Sequence, residues 1–359
     1  MLHLAPVRRT AERVEFMSVV DAGIVEVDRE ACARVAAWLA AHEIPADTEE
    51  TTLSGLSPIE IGDFYLFLVA ICHQTSPQGV PPLLGTVNGQ LRRGWDDLLN
   101  RFEQLVQADR SLLSVDRWRR ISGEDIAEMF ADPEFGRRLV EPERRAELVR
   151  DLAAVMHQHG WQHAQDIYDA AQGRIASGAP NLVDLLAGFA AYRDPVRKKT
   201  FYLLSLMKNN GIWRFRDPES LGAPVDYHEV RGHLRLGTVK ISSDELTRKI
   251  VAQEPVDEHE DLAIRRAVFE AIMLISRQSG LDPSRLHYLF WNVFRACCTR
   301  TSAHCQGCPP DCSLPPRYVP LAWQDGVRGC PFRSVCLAAS EPERLALVEQ
   351  IVDRAYDFH

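Results

Sequence analysis

The chain has no uninterrupted apolar run near the roughly 20 residues that a membrane helix requires. Its opening residues, MLHLAPVRRTAERVEF, contain no apolar core of signal-peptide length. These absences lead to the expectation of a cytoplasmic protein with no membrane partner. Strict alternation of apolar and polar residues is also scarce, so no large sheet is expected; short strands fit near 19–27 and 236–241. No Gly-rich phosphate loop, G-x-S-x-G elbow or H-E-x-x-H pair occurs, which excludes three common routes to phosphoryl transfer, acyl transfer and metalloprotease chemistry. No internal repeat or low-complexity tract is present.

Helical periodicity is abundant. Segments 29–42, 63–74, 95–107, 142–160, 181–192, 197–211, 262–280 and 284–298 place apolar residues three and four apart, several of them bounded by Ser, Asp or Pro at the start and Gly at the end. With 359 residues, 46% of them apolar and 25% charged, the chain can bury a sizeable core. The expected fold is all-α, with one irregular stretch, 299–336, rich in Pro, Gly and Cys.

Charge is uneven. Residues 193–240 carry ten Lys/Arg against five Asp/Glu, a net of +5, and 285–336 carry a net of +4, so a chain of net charge −9 holds about −18 elsewhere. Two basic segments on an acidic body are what a phosphate-facing groove requires, and equally what a pair of solvated helix faces produces.

Cysteine is concentrated. Five of nine lie in CCTRTSAHCQGCPPDC at 297–312, and Cys330 and Cys336 follow. A reducing cytoplasm disfavours disulfides, so thiolates converging on a soft metal are the expectation, and either zinc or a 4Fe-4S cluster is satisfied by four of them. The spacing C-x6-C-x2-C with a later C-x5-C resembles the C-terminal iron-sulfur loop of helix-hairpin-helix DNA glycosylases of the endonuclease III and adenine-glycosylase type. There the run is C-x6-C-x2-C-x5-C with basic residues in the first interval, where Arg300 stands here. This chain departs by adding Cys312 and about twenty residues before Cys330. The resemblance implies Cys298, Cys305 and Cys336 as ligands, with Cys308 or Cys330 as the fourth, and a structural 4Fe-4S cluster ahead of zinc.

The second constellation is YRDPVRKKTFYLLSLMKNNGIW followed by GAPVDYHEVRGHLRLG. Pro224 ends what precedes it, and Asp226 stands where a helix begins, so its carboxylate meets exposed amides and the positive end of the helix dipole. KKT with PVDYHEVRGHLRLG resembles the catalytic region of archaeal 8-oxoguanine glycosylases. The stretch from 118 to about 300, including YRD and DYH, resembles the queuosine-salvage nucleotide glycosidases, helical relatives of the DNA enzymes.

Both resemblances imply that Asp226 acts on a glycosidic bond. The first implies Lys199, beside Lys198, as the amine that attacks C1′ where strand cleavage follows. ICHQTSPQG resembles the segment with which helix-hairpin-helix glycosylases fill the gap left by an extruded base, making His73, Gln74 and Thr75 wedge or pocket candidates. Trp213, flanked by Arg214 and Arg216, and Tyr227 are candidate stacking surfaces, as are Trp95 and Trp291. MKNNGIW (207–213) stands where a Leu-Pro-Gly-Val-Gly hairpin is usual.

The expectation is therefore a two-lobed, DNA-glycosylase-like helical fold: residues 1–55 pack on the C-terminal lobe, 56–200 form one lobe, and 201–359 carry the Asp226 helix and the cysteine loop. Its expected activity is excision of a modified or damaged base from DNA by a monomer, in repair or in defence against modified phage DNA, with Schiff-base lyase chemistry if a lysine takes part. Two alternatives stand beside it: a queuosine-5′-monophosphate N-glycosidase, and a non-catalytic, metal-stabilised nucleic-acid-binding protein.

Overall fold

A computed structural model describes residues 23–46, 53–77, 79–310, 312–352 and 357–358. Residues 19–22 of the expected first strand, and 1–22 of the expected N-terminal segment, lie outside this description. Among the described residues there are fourteen α-helices and four two-stranded β pairs, so the chain is mostly helical. No helix among them is long and apolar enough to cross a membrane.

Two hydrophobic clusters organise the molecule. The first runs from Leu53 to Leu221 around helix Pro58–Ala70, in which every residue from Gly62 to Ala70 is buried. Ser57 and Glu60 close a reciprocal capping box at its start, and Pro58 at the first helical position costs no hydrogen bond. Helices Trp95–Ala108, Pro142–His159 and Lys198–Asn209 pack around it. Beyond Asn209 the chain turns at an exposed Gly211, with φ of 69°, and sends Trp213 inward to 2% exposure.

The second cluster joins the two ends of the chain. Val25–Val27 pairs antiparallel with Val239–Ile241, and helix Arg29–Ala40 packs on helix Glu258–Ser279. Val196 and residues from Ala223 to Phe332 supply the rest of this cluster, while the first cluster ends at Leu221. Within 299–336, helix Val319–Ala322 and a hairpin of Trp323–Gln324 with Val327–Arg328 are the regular pieces besides one short 3-10 turn.

Helix Tyr227–Leu236 crosses the second cluster buried from Glu229 to Leu236. Asp226 is its N-cap, with Glu229 completing a capping box, and Gly237 ends it with φ of 83°. Gly232 faces helix Pro283–Cys297 so closely that a Cβ there would lie 2.1 Å from the Phe294 ring. In an open helix, Gly→Ala gains about 1 kcal/mol. Here the methyl meets a packed ring, so Gly232→Ala is expected to cost roughly 1–3 kcal/mol, read as a lower midpoint in urea unfolding.

Candidate functional site

A pocket of about 180 Å3 opens between the two clusters. It is smaller than most drug-sized sites and suits one flat heteroaromatic ring. Its walls combine Trp95, Tyr202, Tyr227, Tyr288 and Trp291 with Asp226, Lys198, His228 and His287. Aromatic faces beside a few convergent polar groups are how a nucleobase is held.

The cap geometry aims Asp226. Its Oδ1 accepts from the amides of His228 (2.8 Å) and Glu229 (3.0 Å), and Oδ2 has no hydrogen-bond partner among the described residues. Glu229 is fully buried; one of its oxygens accepts the Asp226 amide (3.0 Å) and the other meets His287 Nδ1 (2.8 Å). Burial pushes the Glu229 carboxyl up to about 6, opposed by His287.

His228 is neutral, because burial and then Arg231 hold its pKa well below the ordinary value. Arg231 donates to its Nδ1 at 2.7 Å, and a guanidinium cannot accept, so the His228 proton sits on Nε2. The pocket thus meets an imidazole whose hydrogen-bond capacity is a donor.

Lys198 and Lys199 part company. Lys198 lines the pocket, buried to 8% exposure, and its ammonium has no hydrogen-bond or ion-pair partner among the described residues. Lys199, one residue on and about 100° around the helix, is fully buried and does not line the pocket. Its Nζ donates to Ala70 O (2.8 Å) and to His73 Nδ1 (3.2 Å), capping the C-terminus of helix Pro58–Ala70, whose last turn has no basic residue. The expected nucleophile is therefore placed behind the site as a helix-capping cation.

The other candidates divide similarly. Thr75 lines the pocket with Ser76, whereas His73 and Gln74 are buried beside it and do not. Arg145 fixes this turn by donating to the carbonyls of Ile71, His73 (2.7 Å) and Val140 (2.8 Å). Tyr227 lines the pocket; Trp213 stacks on Tyr168 in the first core and does not reach it. Trp95 and Trp291 take the place expected of Trp213. Trp95 Nε1 is buried with no partner, and Arg295 lies over the Trp291 ring at 3.9 Å.

Sequence reasoning missed Tyr202, His287, Tyr288 and Arg295 as pocket residues. His287, Trp291 and Arg295 recur every four residues on helix Pro283–Cys297, a stripe that its apolar neighbours concealed. Nor do the basic segments form a simple outer face: Lys198, Lys199, Arg231 and Arg235 are all buried.

The cysteines fall into two groups. Cys298, Cys305, Cys330 and Cys336, with Cys297 at one side, line a small cavity of about 10 Å3 beside Gly232 and Arg235. Cys308, one of two candidates for the fourth ligand there, does not line it; Cys330 does. Cys308 instead meets Cys297 and Cys312, with the three sulfurs within 4.8 Å of one another, a triad that can hold a metal ion. Sequence reasoning left Cys297 and Cys312 out of the ligand set.

Tetrahedral zinc, with Zn–S near 2.3 Å, needs sulfurs roughly 3.8 Å apart. Among the described residues, Cys297, Cys308 and Cys312 are the group whose sulfurs all lie within 4.8 Å of one another. Arg235, at 2% exposure, donates to Cys298 Sγ (3.3 Å) and to the carbonyls of Leu345, Leu347 and Thr299, and has no carboxylate partner among the described residues. A buried guanidinium without an anion is costly, and the carbonyls and the Cys298 sulfur are what meet this one.

No family model matches the chain and no curated protein matches it either, so the roles of these residues rest on geometry.

Lys199 generates a pH prediction. Burial lowers its pKa from 10.5 to about 7. Between those values the unfolded chain binds the extra proton, so this group's contribution to stability rises with pH. Lys199→Met removes that dependence, so the stability of the wild type relative to the variant is expected to climb from about pH 7 to 10, measured by urea unfolding at a series of pH values. A difference that stays flat would place the Lys199 pKa elsewhere.

Proposed function

We propose that the pocket breaks an N-glycosidic bond, taking a modified base out of DNA and holding it between the aromatic walls. One observation carries this reading: a helix-capping carboxylate with an oxygen to spare, Asp226, shares an aromatic pocket with an unpartnered buried ammonium, Lys198.

Cleavage of such a bond builds positive charge on the sugar before the base has left. Asp226 Oδ2 is positioned to face that charge, while Oδ1 stays tied to the helix amides and fixes the carboxylate plane. The His228 Nε2–H offers a hydrogen bond to an acceptor on the departing base, stabilising the electron pair it takes. Water then adds to C1′; its proton ends on the released base, and the sugar keeps the hydroxyl. Where an amine replaces water, Lys198 is the one within the pocket, after losing its proton.

Cys298, Cys305, Cys330 and Cys336 are read as the ligands of a 4Fe-4S cluster, which supplies cross-linking of the C-terminal segment rather than chemistry on the substrate.

A second reading is the release of a base from a free nucleotide 5′-monophosphate such as that of queuosine. It is favoured by the burial of four basic residues that a duplex-binding face would have displayed.

Incubation with a panel of modified DNAs and queuosine monophosphate, watching for free base, tests both. Asp226→Asn is expected to lower release at least 100-fold, within the range for a positioned acid–base or electrostatic group, with unchanged affinity for substrate. Release from the monophosphate alone would replace the DNA reading, and release from neither, with nucleic-acid binding intact in Asp226→Asn, would leave a binding protein. On abasic-site DNA, borohydride is expected to trap a covalent adduct that is lost in Lys198→Gln and kept in Lys199→Met. An adduct that survives Lys198→Gln assigns the amine elsewhere.

A further inference from the structure

We propose that Cys297, Cys308 and Cys312 form a second metal centre, distinct from the four-cysteine cavity, which binds a zinc ion and fastens the 306–329 segment to the end of helix Pro283–Cys297. This inference does not depend on what the pocket does.

The order of the thiols along the chain points to it. Cys298 and Cys305 line the cavity from one side of the segment, and Cys330 and Cys336 from the other. Everything from 306 to 329 is thus looped out between the second and third cavity thiols. The two cysteines inside this loop, Cys308 and Cys312, do not join the cavity; they turn to Cys297.

Adjacent residues at a helix end diverge by about 100°, which is how Cys297 serves one group and Cys298 the other. Cys297 also lines one side of the cavity and its thiol touches Cys330, so the two centres share a wall. They are neighbours without sharing a ligand.

Distance and chemistry suit zinc. Sulfurs already within 4.8 Å need draw in by only about 1 Å to reach the edge of a zinc tetrahedron, and C-x3-C falls within the spacing of zinc half-sites. Three thiolates are a soft donor set that rejects calcium or magnesium. Cys308 and Cys312 are half-buried, leaving the fourth position of the ion on the solvent side.

The loop has a need that such an ion meets. Between 306 and 313 it reads QGCPPDCS, without one large apolar side chain, and its two prolines donate no amide hydrogen bond. Its described backbone bonds are Cys308 N to Arg328 O (2.9 Å) and Cys312 N to Pro309 O (3.1 Å). A segment that buries so little gains its order from metal bonds.

The test is metal analysis of the full-length protein, expressed with zinc supplied and assayed for iron and zinc by mass spectrometry, with cobalt(II) as an optical substitute. Wild type is expected to hold a single equivalent of zinc in addition to any iron. The double variant Cys308→Ser with Cys312→Ser is expected to lose zinc at least tenfold, together with the cobalt–thiolate charge-transfer band, while retaining iron. Cys305→Ser is expected to do the reverse. Should the double variant fail to fold, Cys312→His, which keeps a zinc ligand, is expected to bind one zinc with a weakened cobalt–thiolate band.

Zinc that persists in the double variant, or a wild type that takes up neither zinc nor cobalt, would overturn the second centre. So would loss of iron and zinc together in the folded double variant. Absence of iron alone, with zinc still lost from the double variant, would remove the cluster reading and leave this one standing.

Discussion

The close approach of two helices is the constraint from which the C-terminal half follows. Helix Tyr227–Leu236 lies against helix Pro283–Cys297 at Gly232, where the Phe294 ring occupies the space of a side chain. A ten-residue helix is about 15 Å long, so its two ends reach different places while its middle is clamped. At the N-terminus stands Asp226 in the pocket; toward the C-terminus Arg235 and Leu236 line the cysteine cavity. Glu229 and Arg231 brace the same helix through His287 and Glu349, the latter at 2.6 Å. The Asp226 carboxylate therefore stands at the start of a helix that is braced on two sides.

Buried charge explains why so much of the basic composition is invisible from outside. Arg265 is fully buried between Asp194 (2.8 Å) and Asp261 (2.9 Å), and Arg231 and Arg300 both reach Glu349. Each of these cations is offset by a carboxylate, as the desolvation cost of a buried ion demands. Arg145, Lys198, Lys199 and Arg235 break the pattern, since none of these buried cations has an ion-pair partner among the described residues. Arg145 and Lys199 are met by carbonyls and His73, Arg235 by carbonyls and a thiol, and Lys198 lines the pocket.

The helical class and the start of the Asp226 helix were legible because they depend on local chemistry: Pro224, a capping Asp and Glu229 three residues on. The cysteine spacing was legible as metal-binding, but spacing is one-dimensional, and the split into a quartet and a triad needs the fold of 306–329. Lys198 and Lys199 differ by a rotation that depends on where the helix begins. Arg197, at φ of 62°, sets that start, and no residue preference announces it. Trp213, followed by Arg214 and Arg216, was expected as a stacking surface, yet the chain reversal at Gly211 drives it into the core. The hairpin Leu84–Val87 with Gln90–Arg93, which delivers Trp95 to the pocket, was overlooked although Asn88-Gly89 is a strong two-residue turn signal, with both residues at positive φ.

Arg300 ties these parts together. It sits in the interval between Cys298 and Cys305, where the resemblance to the DNA enzymes places a basic residue. Its guanidinium bonds Glu349, donates to Ser76 O at 3.2 Å and lies 5.2 Å over the Tyr227 ring. Ser76 and Tyr227 are both pocket walls. The loop that a metal would order therefore carries the cation that holds two walls of the pocket in register, and does so without placing any sulfur in the pocket. The cysteine-bearing segment thus meets the pocket at two points, through the helix that runs from Asp226 to the cavity and through the Arg300 guanidinium on Tyr227.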